Sequence, residues 1–276
     1  MRLFFTQKLL TIMQYIILGL FQGVTEPLPI SSSGHTILLK DMFHISTPGL
    51  SFEVILHFGS LLAIIFIYRH DLITIVHRSY LFVMKKDETC RNSFFYLMHL
   101  LIATTITGVI GVFLEDSISS QLATSFTVAI ALLITGLFLF HVRHKHGTKD
   151  DEQITIKDAI IIGFAQAFAL IPGISRSGAT LVAALLIGFK REAALRFSFL
   201  LFIPVSVGIN ILSIPHMLTD TTIQPLFIPY VIALLSAMFA TYLALKWFQK
   251  MVIHGKLAVF SVYCFIVGTI VFIWKF

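Results

Sequence analysis

Charge is scarce in this chain. Of its 276 residues only 12% are Asp, Glu, Lys or Arg, against 57% hydrophobic, and the mean hydropathy is +0.91. Soluble domains carry about a quarter of their residues as charges. The shortage excludes that class and points to a polytopic membrane protein. Cysteine is nearly absent: Cys90 falls in a basic loop and Cys264 inside an apolar span, which argues against a disulfide. No small-residue cleavage site follows the first apolar run, so no cleavable signal peptide is expected. The net charge of +6 calls for no nucleic-acid partner, because Lys and Arg gather in a few loops, as the positive-inside rule expects. What is abundant is phenylalanine, 27 residues, in keeping with lipid-facing helices.

Against that background one stretch stands out. Gln22-Gly-Val-Thr-Glu-Pro-Leu-Pro-Ile-Ser-Ser-Ser-Gly-His35 lies in an apolar run yet holds a carboxylate, an imidazole, three serines and two prolines. Ionisable groups at membrane depth are costly and mark function by default. Prolines break the helix there, which a bilayer tolerates only where protein or a wet cavity satisfies the freed backbone. A second copy, Gln166–Thr180, aligns with Gln22–Thr36 without a gap, at an offset of 144 residues. Ile30, Ser31, Ser33, Gly34 and Thr36 fall on Ile174, Ser175, Ser177, Gly178 and Thr180, whereas Ser32 falls on Arg176 and His35 on Ala179.

Hydropathy places spans at 52–68, 94–114, 122–142, 197–214, 227–245 and 257–275, with re-entrant hairpins at 9–39 and 158–189. Basic loops at 69–91, 143–157, 190–196 and 246–256 are assigned to the cytoplasm, and those at 40–51, 115–121 and 215–225 to the outside. Three spans separate the hairpins, so the copies insert from opposite faces. The expectation is an all-α polytopic membrane protein, a single domain over 1–276. It has six transmembrane helices plus two re-entrant helical hairpins, in an inverted repeat of 1–144 and 145–276. Such repeats place binding sites near the midplane between broken helices.

Gln22 and Glu26 share a helix face and can present oxygens to a cation or a proton. Ser31, Ser32, Ser33 and Gly34 supply hydroxyls and unpaired N–H groups at a helix start, a cradle for an anion. His35 could lie beside the Ser32 hydroxyl. Ser175 and Ser177 repeat the capping oxygens, and Arg176 adds a planar fork suited to phosphate. If the copies face each other, the set meets the needs of phosphoryl transfer, which are positioning and charge neutralisation.

These two motifs resemble the signatures of the bacterial undecaprenyl-diphosphatases, the bacitracin-resistance family, and the likeness in length and span pattern covers nearly the whole chain. The resemblance implies hydrolysis of undecaprenyl diphosphate to the monophosphate and inorganic phosphate, recycling the lipid carrier of wall synthesis on the outer side of the plasma membrane. It implies Glu26, Ser32, His35 and Arg176 as catalytic, with Ser32 the nucleophile and His35 an essential histidine; our reading makes His35 the base, with direct attack by water, Ser32 being only a ligand, as the alternative. Gln22, Ser31, Ser33, Gly34, Ser175 and Ser177 would bind substrate, and a divalent cation, magnesium or calcium, would sit at Glu26. Gln22 stands where some members have a second carboxylate. Glu53 matches a position where the family tends to carry an acid and is assigned a supporting role.

Blander readings stand beside these. Gly34, Ser177 and Gly178 could serve close helix packing alone, Glu26 could be a structural hydrogen-bond partner, and Arg176 could snorkel. His57, one turn from Glu53, reads as a packed or interfacial histidine. His99, His141, His144 and His146 read as solvated near basic loops, with a metal site at 141–146 the remote option. The rival function is a transporter or flippase of polyprenyl phosphate lipids, since broken-helix inverted repeats are a transporter architecture. A homodimer is left open.

Overall fold

The computed structural model describes residues 2–43, 49–117, 122–221 and 223–275. Among these it is helical, with ten α-helices: α1 Arg2–Thr25, α2 Ser32–Phe43, α3 Gly49–Lys85, α4 Arg91–Ser117, α5 Ser125–Val142, α6 Ile156–Phe168, α7 Arg176–Leu186, α8 Arg191–Thr219, α9 Phe227–Ile253 and α10 Ala258–Lys275. Six of them, α3, α4, α5, α8, α9 and α10, contain stretches long and apolar enough to cross a membrane. The other four form the two broken pairs, α1 with α2 and α6 with α7. Phe113, Leu218 and Ile273 are among many large apolar side chains left exposed, a surface made for hydrocarbon rather than water.

The main departure from expectation is α3. The segment assigned to a basic loop at 69–91 is helix as far as Lys85. Hydropathy marks where lipid ends, not where the helix ends, and residues 71–85 contain neither Gly nor Pro to stop it. The connection to α4 is a single tight turn in which Asp87 caps through its carboxylate to the Thr89 N–H at 3.0 Å. Likewise α8 runs through Pro204 and Pro215 to Thr219, so the loop expected from 215 begins later.

Small residues set the packing. Gly19 and Gly23 of α1 lie against the carbonyls of Ala233 and Ala237 on α9, so closely that a Cβ at either would strike those oxygens. Gly163 of α6, the counterpart of Gly19 in the 144-residue alignment, lies in the same way on Ala103 of α4. Between the two broken pairs, α5 and α10 run together, and the buried Ser261 hydroxyl donates to Gly136 O at 2.7 Å. A core of Leu132, Leu139, Leu181, Leu185, Leu200 and Phe248 fills the space between α5, α7, α8 and α9.

The four basic stretches converge at one end of the bundle. Arg191, 8% exposed, donates to Arg143 O at 3.2 Å and to Ile253 O at 3.4 Å, closing the carbonyl ends of α5 and α9 with one cation. Arg196 pairs with Asp151 at 2.6 Å and Asp71 at 3.6 Å, tying the connector before α6 to α3 and α8. At the far end Asp41 of α2 pairs with Lys275 at 2.7 Å and accepts from the Ser125 hydroxyl.

Overpacking one of these glycines should therefore loosen the bundle. Gly23→Val is expected to cost about 1–3 kcal/mol, read as a lower midpoint of thermal unfolding in detergent. Gly108→Ala, at a position where a Cβ meets nothing within 4 Å, should leave the midpoint unchanged or raise it.

Candidate active site

Each broken pair ends in a tip built by the same local rule. After Thr25 the chain turns through Pro27 and Pro29, and 26–30 are buried throughout. Ser31 sits at φ +65°, a left-handed backbone that a residue with a Cβ adopts only under constraint. From there its hydroxyl accepts the Gly34 N–H at 3.2 Å and caps α2. In the second copy the Ser175 hydroxyl accepts the Gly178 N–H at 3.1 Å and caps α7. Gly173 reaches the turn at φ +97°, and a Cβ there would meet Ala131 at 2.7 Å and Val128 at 2.8 Å.

The tips touch. Ser175 and Ser177 both donate to Leu28 O, each at 3.3 Å, so a carbonyl of the first tip is satisfied by hydroxyls of the second. A Cβ on Gly34 would lie 2.8 Å from Gly173 Cα, and one on Gly178 3.1 Å from Pro29 Cβ. The Cys264 thiol of α10 donates to Pro29 O at 3.6 Å. Ser175 and Ser177, expected to bind substrate, thus spend their hydroxyls on each other and on Leu28. The packing role foreseen for Ser177 is visible in these contacts.

Beside the contact lies a carboxylate with several partners. Glu26 is buried, and its Oε2 accepts from Gln22 Nε2 at 2.7 Å and from the Ser32 hydroxyl at 2.6 Å. His57 Nδ1, from α3, stands 3.3 Å from the same oxygen and 3.4 Å from Gln22 Nε2. Arg176, half-buried, approaches from α7 with its guanidinium 3.4 Å from the Ser206 hydroxyl and 5.4 Å over the Phe202 ring. No carboxylate among the described residues pairs with it, and its charge reaches both Glu26 and His57.

His35 is placed otherwise than expected. Its Nδ1 lies 2.8 Å from Ser31 O and its Nε2 2.7 Å from the Tyr263 hydroxyl, with the two rings stacked at 5.6 Å. Both nitrogens are engaged, so the imidazole holds the strained residue Ser31 rather than the Ser32 hydroxyl. Ser33 is exposed, with Oγ 3.3 Å from Ser31 Oγ, and Gly34 is buried. His99 is buried rather than solvated, at 6% exposure. A polar cavity of about 740 Å³ lined by Asp71, Tyr96, Asp151 and Arg196 lies away from the site. Its Asp71 is fourteen residues from His57, about 21 Å along α3.

His57 is the residue that sequence reasoning missed. Its signal was an imidazole at membrane depth, one turn from the acid Glu53, where an unpartnered ionisable group is expensive. The second copy lacks the acid of this centre: Leu170 stands where Glu26 would. Gln166 keeps the position of Gln22 but accepts from the Thr107 hydroxyl at 3.1 Å instead.

The divalent cation implied at Glu26 finds no all-protein cage in these donors. One carboxylate is present, and its Oε2 already receives an amide and a hydroxyl beside an imidazole. Calcium asks for six to eight oxygens, and magnesium is usually held through one or two carboxylates with water and substrate phosphates. No group of three His, Cys, Asp or Glu able to hold a metal occurs among the described residues, at Glu26 or at 141–146.

A family model described as bacitracin resistance protein BacA matches residues 15–270. The chain belongs to the BacA family. Its relatives include a protein of Oceanobacillus iheyensis named undecaprenyl-diphosphatase, 46% identical over 96% of this chain and 97% of that one. Undecaprenyl-diphosphatase 1 of Bacillus cereus is 48% identical over 95% and 97%, and that of Bacillus licheniformis 45% identical over 96% and 98%. In this BacA-family chain the two signature motifs are thus the two touching tips.

The contact between tips can be trapped. With Cys90 and Cys264 replaced, the double variant Pro29→Cys, Gly178→Cys should form an intramolecular disulfide on mild oxidation, because the two Cβ positions lie close to disulfide range. It is read as a gel shift reversed by reductant, and no crosslink would refute the apposition.

Proposed function

We propose that this protein is a membrane hydrolase that converts undecaprenyl diphosphate to undecaprenyl phosphate and inorganic phosphate, returning the lipid carrier to peptidoglycan synthesis. The observation that carries the reading is the Ser32 hydroxyl donating at 2.6 Å to a buried carboxylate, on which the charge of Arg176 bears, a guanidinium that no carboxylate among the described residues pairs. The names of the relatives agree with it. None of those names speaks for the transporter alternative.

In this mechanism Ser32 Oγ attacks the terminal phosphorus. Glu26, already its hydrogen-bond acceptor, takes the proton, the part first assigned to His35. Arg176 binds the diphosphate in its fork and offsets the charge that grows on the transferred group. The N–H groups opening α2 at Ser32 and Ser33 face the same anion, with the helix dipole behind them. Gln22 fixes the Glu26 carboxylate through its amide, and His35 with Ser31 fixes the start of α2. Water then attacks the phosphoserine, and Ser32 leaves with a proton restored by Glu26. No step draws on a metal held by the protein.

The two broken pairs are read as an inverted repeat, supported by Gly19 on α9 and Gly163 on α4 making the same contact. The end gathering the basic stretches is assigned to the cytoplasm, following the positive-inside rule. The site is then assigned to the outer side of the plasma membrane, where the lipid tail of the substrate stays in the bilayer.

The test is phosphate release from a polyprenyl diphosphate by protein in detergent, where no gradient exists for a carrier. Ser32→Ala should lower kcat by about a hundredfold or more, and wild-type turnover in that variant would remove Ser32 as nucleophile. Arg176→Lys, which keeps the charge and loses the fork, should fall by about tenfold, and Arg176→Ala further.

A further inference from the structure

The His57 imidazole stands against the acidic centre and has no part in the reaction as given above. We propose that His57 is the proton partner of Glu26, receiving the Ser32 proton from the carboxylate and releasing it to water. The inference rests on the hydrolase reading.

Its first ground is geometry. Oε2 of Glu26 is the oxygen that accepts from Ser32 at 2.6 Å, and the same oxygen lies 3.3 Å from His57 Nδ1. A proton arriving on Oε2 is thus within reach of one imidazole nitrogen. The second ground is access. The Glu26 side chain is 5% exposed and that of His57 28%, so of the two the imidazole lies nearer the protein's boundary. The third is elimination among the neighbours. Gln22 holds the carboxylate but its amide cannot accept a proton, and His35 has both nitrogens engaged with Ser31 and Tyr263. The charged groups bearing on His57 are Glu26 from the first tip, Glu53 from its own helix α3, and Arg176 from α7.

The proton count closes. The Oγ–H bond of Ser32 breaks and its proton goes to Glu26 Oε2 as the Oγ–P bond forms. The bridging P–O bond breaks, and its electron pair leaves on the lipid monophosphate. The proton then moves from Oε2 to His57 Nδ1, and Nε2 gives one to water. The receiving tautomer is the one in which Nδ1 accepts from Gln22 Nε2 at 3.4 Å. In the second half, Glu26 takes a proton from the attacking water and returns it to Oγ as phosphate leaves, so Ser32 and Glu26 end as they began, and His57, left protonated at Nδ1, regains its Nε2–H tautomer by proton exchange with water.

The experiment compares wild type with His57→Gln and Glu26→Gln in detergent. Glutamine at 57 keeps an amide that can hydrogen-bond Glu26 but cannot carry a proton. His57→Gln should lower kcat by about tenfold to a hundredfold with KM within about threefold of wild type, and one limb of the pH–kcat profile should vanish. Wild-type kcat and an unchanged profile in His57→Gln would overturn the inference and leave the hydrolase reading intact. Absence of phosphate release from wild type would sink the hydrolase reading and the inference with it. Histidine NMR gives a readout free of turnover: the His57 titration midpoint should shift by about one unit or more between wild type and Glu26→Gln. An identical midpoint in the two proteins would overturn the proposal.

Discussion

Backbone groups freed in hydrocarbon must find partners inside the protein, and this constraint governs the whole architecture. Four prolines and glycines at the two tips, Pro27, Pro29, Pro172 and Gly173, interrupt helices that could otherwise have satisfied themselves. The freed carbonyls of the first tip are met from outside it: Leu28 O by two serines of the second tip, and Pro29 O by Cys264 of α10. The first tip is not complete without the second. The six long helices serve this meeting, which explains the small residues where α1 rests on α9 and α6 on α4.

The same interior makes electrostatics matter more than on a wet surface. Glu26 is buried with donors on one oxygen, and Arg176 stands near it without a carboxylate of its own. A guanidinium left in that condition is ready for an anion brought by a ligand. Tension in the backbone belongs to the same design. Ser31 is held at a positive φ by its cap to Gly34 and by His35, which is itself fixed by Tyr263. An imidazole can thus matter to a reaction through the shape it enforces.

Much of this was legible in the sequence because it is local. Pro, Ser and Gly at set spacing announce broken helices and caps, and the gapless alignment of Gln22–Thr36 with Gln166–Thr180 announces that there are two of them. Spans follow from hydropathy, but the end of α3 did not, since a helix can leave the lipid and continue in water. What stayed hidden is long-range. The His35–Tyr263 pair joins residues 228 apart, and the His57–Glu26 pair depends on how α3 leans on the first tip. Neither α1 nor α3 carries a local mark of that pairing. Ser175 and Ser177 were read by type as ligands for an anion, yet they face a carbonyl, a choice made by packing.

The second copy retains the frame but not the acid. With Leu170 in the place of Glu26, the counterpart surface has hydrocarbon where the first has a carboxylate. The repeated motif does not double the chemistry: the first pair bears the acid and the second the guanidinium. A phosphate mimic that titrates this polypeptide should therefore saturate at one equivalent per chain.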